Sequence, residues 1–114
     1  MHELSIANSV VEAVRAEAAR RPGARVLKVG LRVGELAGVD CDALSFCFEA
    51  LVRETELEPL ALEIEPCPQR NRCSRCGQTF AVADYEIACP ACGAPQTDCI
   101  GGDELELAYL EVEE

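Results

Sequence analysis

The chain has 114 residues and a formal net charge of −11, from 21 acidic and 10 basic side chains. That balance argues against a nucleic-acid backbone or an anionic membrane as the main ligand, because both reward clustered lysine and arginine. The length allows one domain, or a small domain with a module inserted. With no tryptophan and 4% aromatic residues, its core is expected to be aliphatic.

From Leu4 to about Arg20, the residues Leu4, Ala7, Val11, Val14 and Ala18 recur at three- and four-residue steps, which predicts an amphipathic helix. Pro22-Gly23 stops it. Arg25–Glu35 alternates, with Leu27, Val29, Leu31 and Val33 on one face and Lys28 and Arg32 on the other, as in a half-buried strand. Asp40 is placed to cap a second helix over Cys41–Thr55, whose buried side is Leu44, Cys47, Phe48, Leu51 and Val52. After Pro59, Leu60, Leu62 and Ile64 alternate with Ala61, Glu63 and Glu65 in a second strand.

At Pro66-Cys67-Pro68 the composition changes. Residues 67–99 are rich in Cys, Gly, Pro and Gln and too poor in large aliphatics for a core of their own. Short β-prone segments lie at Thr79–Val82 and Tyr85–Ile87, and Gly101-Gly102 reads as a hinge or turn. Asp103–Glu114 predicts a last strand with broken alternation: Leu105 and Leu107 share one parity, Leu110 and Val112 the other. A bulge near Ala108-Tyr109 would reconcile them. The expected fold is α+β: a small three-stranded sheet covered by two helices, with an inserted four-cysteine zinc-ribbon module. The domains are then 1–66 plus 100–114, and 67–99.

Cys73-Ser-Arg-Cys76-Gly and Cys89-Pro-Ala-Cys92-Gly are separated by twelve residues. Two such pairs let four thiolates converge on one ion, and the glycine after each permits the turn that aims amides at sulfur. Four sulfurs suit a closed structural Zn²⁺ site, although the ligands alone would also serve an iron centre. Eight cysteines without the basic-then-apolar start of a signal peptide point to a reduced, cytoplasmic protein. Cys41 and Cys47 are about 240° apart on their helix and cannot face one another. Buried free thiols are the simplest reading of that pair, whereas Cys67 and Cys99 flank the ribbon and could meet at its base.

The one histidine is at position 2. Its imidazole, its own amide nitrogen and the Met1 amine can form fused chelate rings about one ion, and Glu3 adds another amide and a carboxylate. Such a nitrogen-rich, planar-tending set suits Ni²⁺ or Cu²⁺ better than Zn²⁺. Deprotonated amides are costly, so the affinity should suit delivery rather than permanent retention. Nothing resembles catalytic machinery: there is no phosphate-binding glycine loop, and a site of four cysteines lacks the open position of hydrolytic zinc. The expectation is a non-enzyme, and the competing function is a structural zinc-ribbon adaptor without nickel delivery.

Taken together, Met1-His2-Glu3-Leu4-Ser5, Val33-Gly34-Glu35-Leu36, the four cysteines and the acidic Glu104-Leu-Glu-Leu strand resemble the HypA/HybF family of hydrogenase nickel-incorporation proteins over essentially the whole chain. The resemblance implies a nickel-binding α/β domain with an inserted zinc ribbon. It implies a metallochaperone that passes Ni²⁺ to the large subunit of [NiFe]-hydrogenase in concert with the GTPase HypB, with no nucleic acid or membrane as partner; homodimerisation stays open. The implied nickel ligands are His2, the Met1 amine and the Glu3 amide, with the Glu3 side chain and Asp40 as further candidates. Asp40 stands where some members place an acidic residue, and a helix cap explains it equally well.

Overall fold

The computed structural model describes residues 2–114. The elements in order are α1 (Glu3–Arg20), β1 (Arg25–Gly34), α2 (Cys41–Val52), β2 (Ala61–Cys67), β3 (Arg70–Arg72), β4 (Thr79–Ala81), β5 (Asp98–Gly101) and β6 (Leu105–Glu113). They fall into two compact units. One comprises the residues up to Arg32, Gly38–Glu65 and Glu106–Glu114; the other comprises Val33–Ala37 and Pro66–Leu105.

The first unit is built on a sheet of order β2-β1-β6. Its strand directions follow from the ion pairs along its polar face. Lys28 meets Glu63 and Arg32 meets Glu65, both numbers rising together, so β1 and β2 run parallel around α2. Arg32 meets Glu106 and Lys28 meets Glu111, in opposite order, so β6 is antiparallel. Between Glu106 and Glu111, β6 spends one more residue than β1 does between Arg32 and Lys28. That extra residue is the expected bulge, and it carries Tyr109 to the face of Lys28 and Arg32. There the Tyr109 ring covers Gly30, where any Cβ would collide with it, and its hydroxyl donates to Glu63 Oε1 at 2.7 Å. A glycine inside the central strand is thus the floor for an aromatic ring on the edge strand.

The opposite face carries the core. α1 supplies Ala7, Val10, Val11 and Val14, α2 supplies Leu44, Phe48 and Val52, and β1 supplies Val29 and Leu31. The core is aliphatic apart from Phe48. The buried stripe of α1 is centred on 7, 10/11 and 14, so Leu4 at its margin is 58% exposed, contrary to its place in the predicted stripe. α2 ends at Val52 rather than Thr55. Arg53 turns extended, Glu54 takes φ +60, and the Thr55 amide and hydroxyl both donate to the Val52 carbonyl.

The second unit has a sheet of order β4-β3-β5. β3 is antiparallel to both neighbours, pairing Arg72 with Thr79 and, on its other side, Asn71 with Cys99. All three strands have too few residues to show periodicity in the sequence, and only β4 has a β-prone composition. The predicted strand at Tyr85–Ile87 is not formed: Asp84 and Tyr85 have φ +53 and +61, and the Glu86 amide donates to the Ala83 carbonyl across a tight turn. Gly101 closes β5, and the Gly102 carbonyl accepts the Leu36 amide. The interior is small: Cys73, Cys89 and Ala94 form a buried apolar cluster, and Val33 and Val82 are the unit's other buried apolar side chains among the described residues. Among the described residues no helix is long and apolar enough to cross a membrane.

Candidate metal centres

The four expected thiols converge. The sulfurs of Cys73, Cys76, Cys89 and Cys92 all lie within 4.8 Å of one another. Cys73 to Cys92 is 3.5 Å and Cys76 to Cys89 is 3.6 Å, against about 3.8 Å along the edge of a tetrahedron with zinc–sulfur bonds near 2.3 Å. The residues present therefore fit a tetrahedral thiophilic ion.

Each pair folds into the same local structure. The Gly77 amide donates to the Cys73 carbonyl at 2.7 Å and the Gly93 amide to the Cys89 carbonyl at 2.9 Å, with the two glycines at φ +81 and +79. Those values are the left-handed region that glycine enters without penalty. The leading cysteine of each pair, Cys73 or Cys89, is buried and the trailing one, Cys76 or Cys92, is exposed.

The electrostatics follow the same division. The Cys76 amide, with help from the Arg75 amide, lowers the Cys73 thiol against the opposing effect of burial. The Cys92 amide, with help from the Ala91 amide, brings the Cys89 thiol down to about 6. Cys76 goes the other way: the Gln78 amide favours its thiolate, but neighbouring Cys89, burial and the other two sulfurs outweigh it and push the thiol up to about 11. Amides aimed at the leading sulfurs stabilise the thiolate, the form that binds metal.

Of the remaining cysteines, Cys41, Cys47 and Cys67 are half-buried and Cys99 is exposed. The Cys99 thiol lies 3.4 Å from the Gly101 carbonyl oxygen.

At the other candidate centre, His2 is exposed and is the N-cap of α1, with no hydrogen bond from its side chain to the helix. Its carbonyl accepts the Ile6 amide at 3.1 Å. Glu3 opens the helix, and its Oε2 accepts the Asp40 amide at 3.1 Å. The Asp40 amide is the chief reason that the Glu3 carboxyl lies below its ordinary value, joined by Glu3's own amide. Asp40 is also the N-cap of α2, where its Oδ1 accepts the Ala43 amide at 3.1 Å. The fold thus joins Glu3 and Asp40 through a main-chain bond while the Asp40 carboxylate caps a helix. The expected Met1 ligand lies outside the described residues.

Sequence reasoning passed over the polar residues around the cysteines. Asn71 is 2% exposed in the middle of β3. It accepts from Gln69 Nε2 at 3.2 Å and donates to Thr97 Oγ1 at 2.9 Å, and Thr97 in turn donates to the Ile87 carbonyl at 2.5 Å. An asparagine between two arginines gives no sign of burial; only the fold reveals it.

Known proteins share the sequence pattern and the fold of this chain. Residues 1–112 match the family described as "HypA: Hydrogenase/urease nickel incorporation, metallochaperone, hypA". A protein named hydrogenase maturation factor HypA from Geobacter metallireducens is 49% identical over 99% of this chain and 100% of its own length. One of the same name from Geotalea uraniireducens is 45% identical over the same shares. The solution structure of the nickel metallochaperone HypA from Helicobacter pylori superposes with a TM-score of 0.64 at 22% identity, covering 97% of each chain. A second HypA solution structure gives 0.70 at 23% identity, covering 97% of this chain and 95% of the other. At those identities the structures speak for the fold.

Proposed function

The chain belongs to the HypA family of hydrogenase/urease nickel-incorporation metallochaperones, and from that premise we propose that it takes up Ni²⁺ at its first residues and delivers it during maturation of [NiFe]-hydrogenase. The cargo ligands in this reading are the Met1 amine, the His2 imidazole and amide, and the Glu3 amide. One observation carries it: His2 is exposed at the cap of α1, immediately before a Glu3 whose carboxylate is tethered to the Asp40 amide. The first amides of an α-helix have no carbonyl of their own helix to donate to. Main-chain nitrogens at His2 and Glu3 can therefore be given to a metal without breaking a turn of α1.

The tether divides the labour between the residues. Glu3 fixes the start of α1 to the start of α2, so the terminal donors are presented from a settled base. His2 stays in solvent, where a recipient protein can reach the ion. The Asp40 side chain serves the helix cap and its main chain serves Glu3. Nitrogen donors of this kind favour Ni²⁺ over oxygen-seeking ions such as Mg²⁺.

The four cysteines would hold a resident Zn²⁺, which supplies a closed structural cross-link there and no reactive position. In this reading nickel belongs to the helical unit and zinc to the cysteine unit. Family membership supports the GTPase HypB and the hydrogenase large subunit as partners, with the cytoplasm as the place of action. The chain itself acts as carrier rather than enzyme.

Calorimetric titration with Ni²⁺ tests the proposal. Three proteins are compared: the native chain, His2→Ala, and the chain with a tag placed directly before Met1. Both changes should abolish stoichiometric nickel binding and leave zinc content untouched. Nickel binding that survives both at native affinity would refute the assignment and favour a structural adaptor.

A further inference from the structure

The two cysteine pairs share a local fold, each closed by a main-chain bond from its leading cysteine (Cys73 amide to Gln78 carbonyl, Cys89 amide to Ala94 carbonyl, both 2.9 Å), but what lies beyond that bond differs. The first is the turn of a β-hairpin: β3 ends at Arg72, β4 begins at Thr79, and those residues pair across the ladder. Main-chain hydrogen bonding closes it immediately beside Cys73.

The second pair has no ladder. The residues on either side, 87–88 and 93–97, are neither strand nor helix. Beyond the main-chain bond from the Cys89 amide to the Ala94 carbonyl, what spans its open end is a side chain. Thr97, five residues past Cys92, donates its hydroxyl to the carbonyl of Ile87, two residues before Cys89. The same hydroxyl oxygen accepts from Asn71 Nδ2, and Asn71 is the middle residue of β3, two positions before Cys73. One threonine oxygen therefore ties together the flanks of the second loop, outside its Cys89–Ala94 bond, and fastens them to the strand that leads into the first.

We propose that Thr97 and Asn71 are positioning residues of the zinc site, setting the Cys89/Cys92 loop in register with the Cys73/Cys76 loop. Neither touches the ion. The hydroxyl meets both requirements of the junction, giving its proton to Ile87 and a lone pair to Asn71. Valine has nearly the same shape as threonine but can do neither, and it would leave the buried Asn71 amide without this acceptor. Support of this kind outside a metal's own ligands is typically worth about 10–100-fold in affinity. The inference rests on the reading of the four thiols as a zinc site.

The test uses the full-length zinc-loaded chain and competition against a chromophoric chelator. Thr97→Val should weaken zinc binding roughly 10–100-fold while one ion per chain still binds at saturation. Thr97→Ser, which keeps the hydroxyl, should stay close to the native protein. Asn71→Asp keeps the size and the acceptor toward Gln69 but loses the donor to Thr97, and it should fall into the valine range. It carries the same test if Thr97→Val does not fold. Nickel titration at the N-terminus serves as the control and should be unchanged in all three. Native affinity in Thr97→Val or in Asn71→Asp, or an equal loss in Thr97→Ser, would overturn the proposal. A native chain that binds no zinc would instead overturn the zinc reading beneath it.

Discussion

The two units hold their chains in place with different materials. The helical unit buries Ala7, Val10, Val11 and Val14 from one helix against Leu44, Phe48 and Val52 from the other and against the face of β1, so apolar area does the work. In the cysteine unit the buried apolar cluster is two thiols and an alanine. Its order comes from strands of three or four residues, amides aimed at sulfur and the Asn71–Thr97 junction. The first kind of scaffold should stand without a ligand, and the second should depend on one, because a metal that binds only the folded arrangement adds its binding energy to folding.

The largest effect should come from removing a ligand. Cys89→Ser takes away a buried thiolate that receives two amides. Structural zinc is worth on the order of 10 kcal/mol at neutral pH, far more than the small interior of the cysteine unit can replace. In an amide NMR spectrum, resonances of residues 66–105 should lose dispersion, while those of α1, α2 and their core keep theirs. A cysteine unit that stays dispersed in Cys89→Ser, or after chelation of the native chain, would break the comparison.

A smaller and opposite effect belongs to the helical unit. Gly30→Ala forces a methyl group into the Tyr109 ring and should cost roughly 1–3 kcal/mol, as overpacking usually does. The loss would appear as a lower denaturation midpoint with zinc affinity unchanged. The cause is pairwise, so Gly30→Ala introduced beside Tyr109→Val should cost almost nothing. An equal loss in both backgrounds would show that the glycine is needed for some reason other than the ring.

The same contrast explains what could be read in advance. α1, β1, α2, β2 and β6 declared themselves through apolar periodicity, because each has one face in a hydrophobic core. The four thiol ligands were legible because metal coordination demands particular atoms at a fixed spacing. β3 and β5 left no trace: three or four residues cannot display a period, and neither Arg70-Asn-Arg72 nor Asp98-Cys-Ile-Gly101 alternates. Asn71 was illegible for a related reason, since a buried polar residue is defined by partners that only the fold supplies. The bulge in β6 could be foreseen from its change of parity. Tyr109 as the cover of Gly30 could not, because that contact spans 79 positions in the chain. At the N-terminus the residue types were plain, but the Asp40 amide as anchor for Glu3 required the fold.

The finest effect lies in the polar face of the helical unit, where Tyr109 donates to Glu63. The Glu63 carboxylate as acceptor, with burial and the nearby Glu111 and Glu65 charges adding to it, pushes the Tyr109 phenol from 10.0 to about 12. The fold favours the protonated form, so this contribution to stability is fully present below about pH 10. It is lost as the pH rises through about 12, when a phenolate would face carboxylates. The chain has two tyrosines, and Tyr85→Phe leaves Tyr109 as the only phenol to be followed by ultraviolet absorbance. Its midpoint should lie near 12 in the folded protein, and Glu63→Gln should move it toward 10 by removing the charged acceptor. The shift should be the same with zinc bound or removed, since every group responsible for it belongs to the helical unit. A midpoint that followed zinc occupancy would show that the two units do not hold their chains independently.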